Sequence, residues 1–203
     1  MPTNIPIVLA SASPRRQELL KNAGIEFVVR PADIPEIPFS GEPPRAFAER
    51  MAREKARAAR QQNEGVIPAA GGTILAADGV ILAADTVVAV GDEILGKPED
   101  AADAARMLRL LSNRTHQVIT AVCLLGTSSE DVRSETTTVH FNSMTDSDIA
   151  DYVASGEPMD KAGAYAIQGG ASRWISQIEG DYSNVVGLPM ELVWQMLRER
   201  GVL

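Results

Sequence analysis

The feature of this sequence that most constrains its fold is VILAADTVVAV, residues 80–90, a run that is apolar except for Asp85 and Thr86. Such a run is typical of a buried strand. The pentapeptide ILAAD within it also occurs seven residues earlier, where it ends at Asp78. An unpaired carboxylate is costly to remove from water, so an aspartate in a buried strand needs a cation or a metal ion to offset its charge.

The residues that follow each aspartate distinguish the two copies. Asp78 precedes Gly79, and Asp-Gly is a favoured dipeptide of tight hairpin turns, where a carboxylate can stay solvated. Asp85 precedes Thr86 and the apolar VVAV, which places it in the middle or at a bend of the strand. We therefore predict that Asp85 has a cationic or metal partner and that Asp78 needs none.

Strand-like and helical patterns alternate along the rest of the chain. Strands interleaved with helices predict an α/β fold with a mixed, twisted sheet flanked by helices. We interpret residues 65–79, which are rich in Gly, Ala and Pro, as a loop or edge hairpin. No linker is long or polar enough to force a domain boundary. We expect one domain over residues 1–203. Such a domain is compatible with two lobes around an active-site cleft.

Charge and hydropathy exclude several classes of protein. The net charge of −8 argues against a nucleic-acid partner, which proteins usually meet with a broad basic surface. No apolar run approaches the roughly 18 residues of a membrane span, and no cationic leader precedes the first apolar segment, so we expect a cytoplasmic protein. The single Cys123 predicts a core residue rather than a disulfide. His116 and His140 lack metal-ligand spacing, and we interpret both as structural.

The stretch SASPRR predicts a helix start with an anion site. Ser13 suits the N-cap and Pro14 the first turn, which places Arg15 and Arg16 at the positive end of the helix dipole. A bound phosphate would explain two cations there, because a helix N-terminus is itself an anion site. Two solvated arginines are the alternative, and the motif alone does not separate the two interpretations.

Two lysines extend this set of cations. Lys55 continues a helical stripe begun by Phe47 and Met51, which predicts that it lies on the buried face of the helix. The alternative is that its stem covers apolar surface while its ammonium reaches water. Lys97 follows a Gly-Asp hairpin signal that could return it towards Asp85. A polyphosphate, a divalent cation and an activated water together require such a set of residues, which here is Arg15, Arg16, Lys55 and Lys97 with the acidic Asp85.

Six separated motifs resemble the Maf family of nucleoside triphosphate pyrophosphatases, in that family's order: SASPRRQELL, AREKARA, AADTVV, GKPEDAADAARMLRLLSNRTHQVITAV, GEPMDKAGAYAIQG and GDYSNVVGLP. The family was first named for septum-formation inhibition and is now regarded as house-cleaning enzymes. The resemblance covers nearly the whole chain. It implies a Maf/ITPase-like α/β fold, usually a homodimer, that cleaves a nucleoside triphosphate between the α and β phosphates with a divalent cation, Mg²⁺ or Mn²⁺.

The resemblance also implies roles for residues that bind the triphosphate. It makes Asp85 of the ADT motif the general base, and it matches Arg16, Lys55 and Lys97 to phosphate-binding residues. Glu36 matches an acidic position in the loop after the second strand. Whether Asp85 or Glu36 would hold the metal ion stays open.

Other residues match positions that select the base. Arg15 and Thr86 correspond to specificity positions, and Gln168 corresponds to the residue that reads the base. Ser13, the predicted N-cap, is counted as a further site residue. Gln168 offers a donor and an acceptor that complement the N3 amide and O4 carbonyl of uracil or thymine, although a rotated amide could serve cytosine. Ala166 stands where glycine is common, which affects the expected pocket width.

Within the family, SPRR and DKAGAYAIQG resemble the branch that prefers dTTP and UTP. The alternatives are the branch that prefers 7-methyl-GTP and a non-catalytic nucleotide sensor that regulates cell division. Asp85, together with the two lysines, favours turnover over sensing, because a pure sensor needs no buried base. Residues 65–79 look like an insertion relative to many members of the family.

Overall fold

The elements of the fold are taken from a computed structural model that describes residues 6–62, 66–69, 72–75 and 79–203. The strands are β1 (Ile7–Leu9), β2 (Phe27–Val29), β3 (Val66–Ala69), β4 (Gly72–Leu75), β5 (Val80–Val90), β6 (Glu93–Leu95), β7 (Thr115–Leu125), β8 (Glu130–Phe141) and β9 (Ile175–Glu179). The α-helices are α1 (Pro14–Asn22), α2 (Pro44–Gln62), α3 (Ala101–Leu111), α4 (Asp146–Ala154), α5 (Tyr182–Val186) and α6 (Met190–Glu199). Short 3₁₀ turns span Glu157–Asp160, Ala162–Ala164 and Gly170–Trp174.

Seven of these strands form one mixed sheet in the order β2-β1-β5-β7-β8-β9, with β6 paired to β5. The pairs β1–β2 and β1–β5 are parallel, and the other pairs are antiparallel. The predicted α/β fold with a mixed sheet is therefore confirmed. The single domain expected over residues 1–203 stays a prediction.

Strand β5 is buried on both faces, as its apolar run predicts. Ile81 and Ala83 pack with α2 in one apolar cluster. Leu82 and Ala84, which point to the opposite face, pack in another cluster with residues of α1 and α6. Helices thus cover both sides of the sheet here, and a strand between them cannot alternate apolar and polar residues.

The sheet is forked at the middle of β5. Along one edge β5 pairs continuously with β7 from Ile81 to Ala89. Along the other edge β1 pairs only with residues 80–82 and β6 only with residues 88–90. Among the described residues, no strand is paired with this edge over residues 83–87. The fork leaves an opening at the centre of a buried strand, where Asp85 lies.

Side chains cap two of the helices, and the cysteine lies in the core as predicted. The Asp100 side chain caps α3 by accepting a hydrogen bond from the Asp103 amide at 2.8 Å. Thr145 and Asp148 form a capping box at the start of α4. Cys123 is fully buried in the core.

Within residues 65–79, which we interpreted as a loop or edge hairpin, the described residues form a hairpin. Strands β3 and β4 pair antiparallel in a sheet of their own, separate from the main sheet. The turn predicted at Asp78 lies outside the described residues. None of the helices that the structure describes is long and apolar enough to cross a membrane.

Asn184 fastens α5 to the sheet. Its side chain is completely buried, and its Nδ2 donates to the Val118 carbonyl at 2.9 Å and to Thr137 Oγ1 at 3.0 Å. The backbone carbonyl of Asn184 accepts from Thr120 Oγ1 at 2.9 Å. Buried polar groups are held in this way because each would otherwise lose its hydrogen bonds to water.

We predict that Asn184→Ala lowers the free energy of unfolding by about 2 kcal/mol, because it leaves buried acceptors on β7 and β8 without their donor. Urea denaturation of the purified proteins measures the change. The matched control is Asn142→Ala at an exposed position, which should stay within about 0.5 kcal/mol of the wild type. Equal effects of the two substitutions would contradict the fastening role.

Candidate active site

A cleft of about 570 Å³ opens at the fork in the sheet. It is lined by residues from α1, the loop after β2, α2, β5, the loop after β6 and the segment that precedes β9. The structure brings all of the predicted site residues together in this cleft: Ser13, Arg15, Arg16, Glu36, Lys55, Asp85, Thr86, Lys97 and Gln168.

Helix α1 begins as the sequence predicts. Ser13 is the N-cap, and its hydroxyl accepts a hydrogen bond from the Arg16 amide at 3.5 Å. Pro14 is the first helical residue, where its missing N–H costs nothing. Arg15 and Arg16 therefore lie in the first turn, at the edge of the cleft.

Arg16 is not a solvated arginine. Its guanidinium donates four hydrogen bonds: to the Gly187 carbonyl at 2.7 Å, the Ala84 carbonyl at 2.7 Å, Thr86 Oγ1 at 3.0 Å and Ser11 Oγ at 3.2 Å. The Ala84 carbonyl belongs to the forked edge of β5, so Arg16 supplies the donor that a neighbouring strand would otherwise provide. These bonds use all but one of the N–H groups of the guanidinium. One N–H thus remains for the predicted phosphate contact.

Asp85 has the cationic partner that its buried position requires. Asp85 is 5% exposed, and its Oδ1 lies 2.6 Å from the ammonium nitrogen of Lys55, which is 9% exposed. Lys55 lies on the buried face of α2 together with Phe47 and Met51. The alternative that Lys55 only covers apolar surface and extends its ammonium to water therefore does not describe this structure.

Glu36 extends the ion pair into a chain of alternating charges. Its Oε1 lies 2.6 Å from the same Lys55 nitrogen, and its Oε2 lies 3.7 Å from the ammonium nitrogen of Lys97. The sequence suggested that Lys97 turns back towards Asp85. In the structure Lys97 pairs with Glu36, and Lys55 pairs with Asp85.

The two carboxylates differ in their affinity for a proton. Burial raises the pKa of Asp85 above its ordinary value, and the charges of Lys55 and Arg16 offset this only in part. Burial also acts to raise the pKa of Glu36, but Lys55 and Lys97 outweigh it, so that pKa lies below its ordinary value. Asp85 is therefore the stronger base of the pair, a property common among catalytic carboxylates.

The cleft is more cationic than the protein as a whole. Five cationic and four carboxylate side chains line it, although the chain carries a net charge of −8. Such local concentrations of positive charge attract anionic ligands. The cations are Arg15, Arg16, Lys55, Lys97 and Lys161, and the carboxylates are Asp33, Glu36, Asp85 and Asp160.

Sequence reasoning missed several residues that line the cleft. Asp160, Lys161 and Tyr165 all lie within GEPMDKAGAYAIQG, so the motif contained the signal, but no periodicity singled them out. Ser11 belongs to SASPRR and binds Arg16. Asp33 has no local pattern that would have marked it.

Asp85 and Glu36 are the candidate ligands of a metal ion. Their oxygens approach the same Lys55 nitrogen at 2.6 Å each, so two hard donors converge on one cation. This suits Mg²⁺, which takes one or two carboxylates and completes its shell with water and phosphate oxygens. The described residues contain no cluster of three or more His, Cys, Asp or Glu side chains that could hold a metal.

The two histidines make structural contacts. His116 is buried, and its Nε2 lies 2.8 Å from the hydroxyl of Tyr165. Burial lowers the pKa of His116 to about 4, so the imidazole is neutral at pH 7. His140 Nδ1 lies 3.0 Å from Thr115 Oγ1. His116 thus supports Tyr165, a residue that lines the cleft.

Gln168 is exposed at the cleft, with its amide available to a ligand. Ala166 is not among the described residues with positive φ. Alanine therefore stands there without the backbone strain that a left-handed conformation would impose.

This is an α/β protein whose sheet opens onto a cleft built for an anionic ligand, with a buried carboxylate and lysine at its floor. Residues 6–200 match the family described as Maf, "Maf-like protein". The chain belongs to the Maf family, as its motifs indicated.

Several relatives are similar over nearly their full lengths. A protein of Koribacter versatilis named "dTTP/UTP pyrophosphatase" is 51% identical over 199 residues, covering 97% of this chain and 95% of that protein. A protein of Geobacter metallireducens with the same name is 47% identical over 205 residues, covering 100% of each chain. The solved structure "The structure of the Staphylococcus aureus Ham1 protein" aligns with a TM-score of 0.47 at 15% identity, over 96% of this chain and 99% of that one. The family assignment rests on the sequence matches.

We predict that Arg16→Lys lowers the free energy of unfolding by about 2 kcal/mol, because an ammonium cannot satisfy the spread acceptors at the fork. Arg15→Lys, one position earlier in the same helix turn, should change it by less than about 0.5 kcal/mol. Chemical denaturation without nucleotide measures both variants. If Arg16→Lys is as stable as Arg15→Lys, the guanidinium does not hold the fork together.

Proposed function

We propose that this protein is a nucleoside triphosphate pyrophosphatase that hydrolyses dTTP and UTP to the monophosphate and pyrophosphate. The observation that carries the proposal is the buried Asp85 beside Lys55 and Glu36 at the floor of a cationic cleft. The names of the relatives support the same substrates. In the cell, such an enzyme would limit the pools of these and related nucleotides.

The reaction begins with attack of a water oxygen on the α-phosphorus. A new bond forms between the water oxygen and that phosphorus, and the bond from the α-phosphorus to the oxygen that bridges to the β-phosphate breaks. Pyrophosphate leaves with that bridging oxygen. Asp85 accepts the proton of the water as general base, because burial strengthens it as a base.

The cations of the cleft bind the triphosphate. Lys55 and Lys97 lie beside the carboxylates, and Arg16 contributes its remaining N–H. A charged donor in a partly desolvated site is worth more than the same donor in water, so these contacts offset the negative charge that develops on the leaving pyrophosphate.

We propose a divalent cation, Mg²⁺ or Mn²⁺, as the cofactor. Glu36 and Asp85 are the residues that would hold it. When bound, the ion supplies positive charge that neutralises the phosphate oxygens. Lys55, which already bridges both carboxylates, offsets their mutual repulsion.

Gln168, with Arg15 and Thr86, selects the base. The amide of Gln168 can donate to O4 and accept from N3–H of uracil or thymine. The methyl group of thymine needs only a small apolar niche and is worth about 1 kcal/mol, so dTTP and UTP should be used within about tenfold of each other. The family resemblance also predicts a homodimer. The hydropathy pattern predicts a cytoplasmic location, and the net charge of −8 predicts no nucleic-acid partner.

The deciding experiment is pyrophosphate release by the wild-type protein with Mg²⁺ across natural and modified nucleotides. We expect turnover of dTTP and UTP above that of purine nucleotides. A preference for 7-methyl-GTP would place the protein in the other branch. Tight nucleotide binding without turnover of any substrate would instead favour the sensing regulator.

The doubled pentapeptide provides a matched pair of variants. Asp85→Asn should abolish hydrolysis while nucleotide binding stays within about tenfold, because the amide keeps the shape but loses the base. Asp78→Asn, at the same place in the other copy, should leave turnover unchanged. The assignment of the base is lost if Asp78→Asn is inactive and Asp85→Asn keeps its rate.

For base selection we predict that Gln168→Ala lowers kcat/KM for dTTP and UTP by about tenfold or more, because polar groups of the base lose their partner. Turnover of poor purine substrates should change little, so discrimination falls. Steady-state kinetics with UTP and ATP measures the ratio. An unchanged ranking of substrates in the variant would remove Gln168 from the base site.

A further inference from the structure

The segment that carries Gln168 has no regular secondary structure of its own. It runs between the 3₁₀ turn Ala162–Ala164 and the 3₁₀ turn Gly170–Trp174, and Gln168 is exposed at the cleft. A side chain reads hydrogen-bonding groups reliably only when its backbone is held in place by further contacts. Contacts to the backbone of this segment therefore bear directly on how well Gln168 can recognise a base.

Two side chains outside the cleft hold both ends of the segment. The backbone N–H of Ala166 donates to the hydroxyl of Tyr152 at 3.2 Å. The backbone N–H of Gly170 lies 3.1 Å from each carboxylate oxygen of Glu157. The Tyr152 hydroxyl donates in turn to Glu157 Oε1 at 2.8 Å. One continuous hydrogen-bonded unit thus joins the residues on either side of Gln168.

The backbone of Gly169 packs closely against the carboxylate of Glu157. A Cβ atom added at Gly169 would lie 1.9 Å from Glu157 Oε1. The φ of Gly169 is −112°, which any residue can adopt, so space rather than backbone conformation requires glycine here. The first glycine of AIQGG therefore makes room for the carboxylate.

Tyr152 is itself well anchored. Tyr152 is 4% exposed on α4, and its ring packs edge-on against Trp174 with centroids 5.5 Å apart. Burial raises the pKa of its hydroxyl, so the group stays protonated and donates to Glu157. Neither side chain is among those that line the cleft, which leaves them no direct contact with a nucleotide.

We propose that Tyr152 and Glu157 are positioning residues for base recognition, which fix Gln168 by holding Ala166 and Gly170 on either side of it. The proposal rests on the function proposed above. The carboxylate of Glu157 suits this role as the acceptor of the Gly170 amide, because hydrogen bonds to an ionised group are roughly twice as strong as neutral ones. Loosening this unit lets the Gln168 amide move while the phosphate-binding cations, which lie on other elements, keep their places.

The test measures kcat and KM for UTP and ATP with Tyr152→Phe and Glu157→Gln. We expect KM for UTP to rise about fivefold or more with kcat nearly unchanged, so the UTP/ATP ratio of kcat/KM falls by the same factor. Inhibition by inorganic tripolyphosphate, which has no base, should not change. Asp151→Asn, an exposed carboxylate beside Tyr152 on the same helix, is the matched control and should behave as the wild type.

A double-mutant cycle separates positioning from general damage. In the Gln168→Ala background, Tyr152→Phe and Glu157→Gln should have no further effect on the UTP/ATP ratio, because the side chain that they position is gone. An unchanged ratio in the single variants overturns the proposal. So does an equal loss in the Gln168→Ala background, or a parallel loss of tripolyphosphate inhibition.

Two further measurements cover the remaining outcomes. If Tyr152→Phe does not fold, Glu157→Gln and Gly169→Ala carry the test, since Gly169→Ala displaces the carboxylate while it retains every polar group. Binding of UTP and ATP is measured beside turnover. A wild type that binds UTP selectively without hydrolysis refutes the proposed function, whereas the binding ratio still tests the positioning. A wild type that binds both nucleotides equally overturns the positioning itself.

Discussion

The contact on which the rest of the structure depends is the ion pair between Lys55 and Asp85. A lysine on the buried face of α2 and an aspartate inside β5 would each be unfavourable alone, because an unpaired charge away from water is costly. Their oxygen and nitrogen atoms meet at 2.6 Å, at the place where α2 packs on the sheet. The pair therefore fixes the helix against the strand and sets two functional groups at the floor of the cleft. Glu36 then joins through the same ammonium.

The fork in the sheet explains how a buried strand can serve a site. A sheet paired along its whole length would close over Asp85, whereas an open edge leaves backbone carbonyls without donors. Arg16 resolves this conflict at Ala84. One guanidinium replaces part of a strand, and the space that a strand would have filled becomes the cleft. The guanidinium of Arg16 also donates to the Gly187 carbonyl, which follows α5. Arg16 therefore links β5 to Gly187, and long-range contacts hold the opening in place.

The lining of the cleft uses two different physical means. The side chains of α1, α2 and β5 include charged groups, which suit phosphates and tolerate some freedom in position because Coulomb attraction is not strongly directional. Gln168 instead offers a neutral amide, whose hydrogen bonds depend on distance and angle. The amide therefore needs a rigid support, which Tyr152 and Glu157 provide through backbone hydrogen bonds.

The sequence by itself determined what depends on near neighbours in the chain: the buried strand around Asp85, the buried face that carries Lys55, and the helix cap at Ser13. Motif order also indicated the family. Only the tertiary structure decided which lysine pairs with Asp85, that Glu36 joins the pair, and that Arg16 spends most of its donors on the protein. The physical reason is that periodicity and caps are set within a few turns of chain. Ion-pair partners are chosen by packing between distant segments, which no local pattern records.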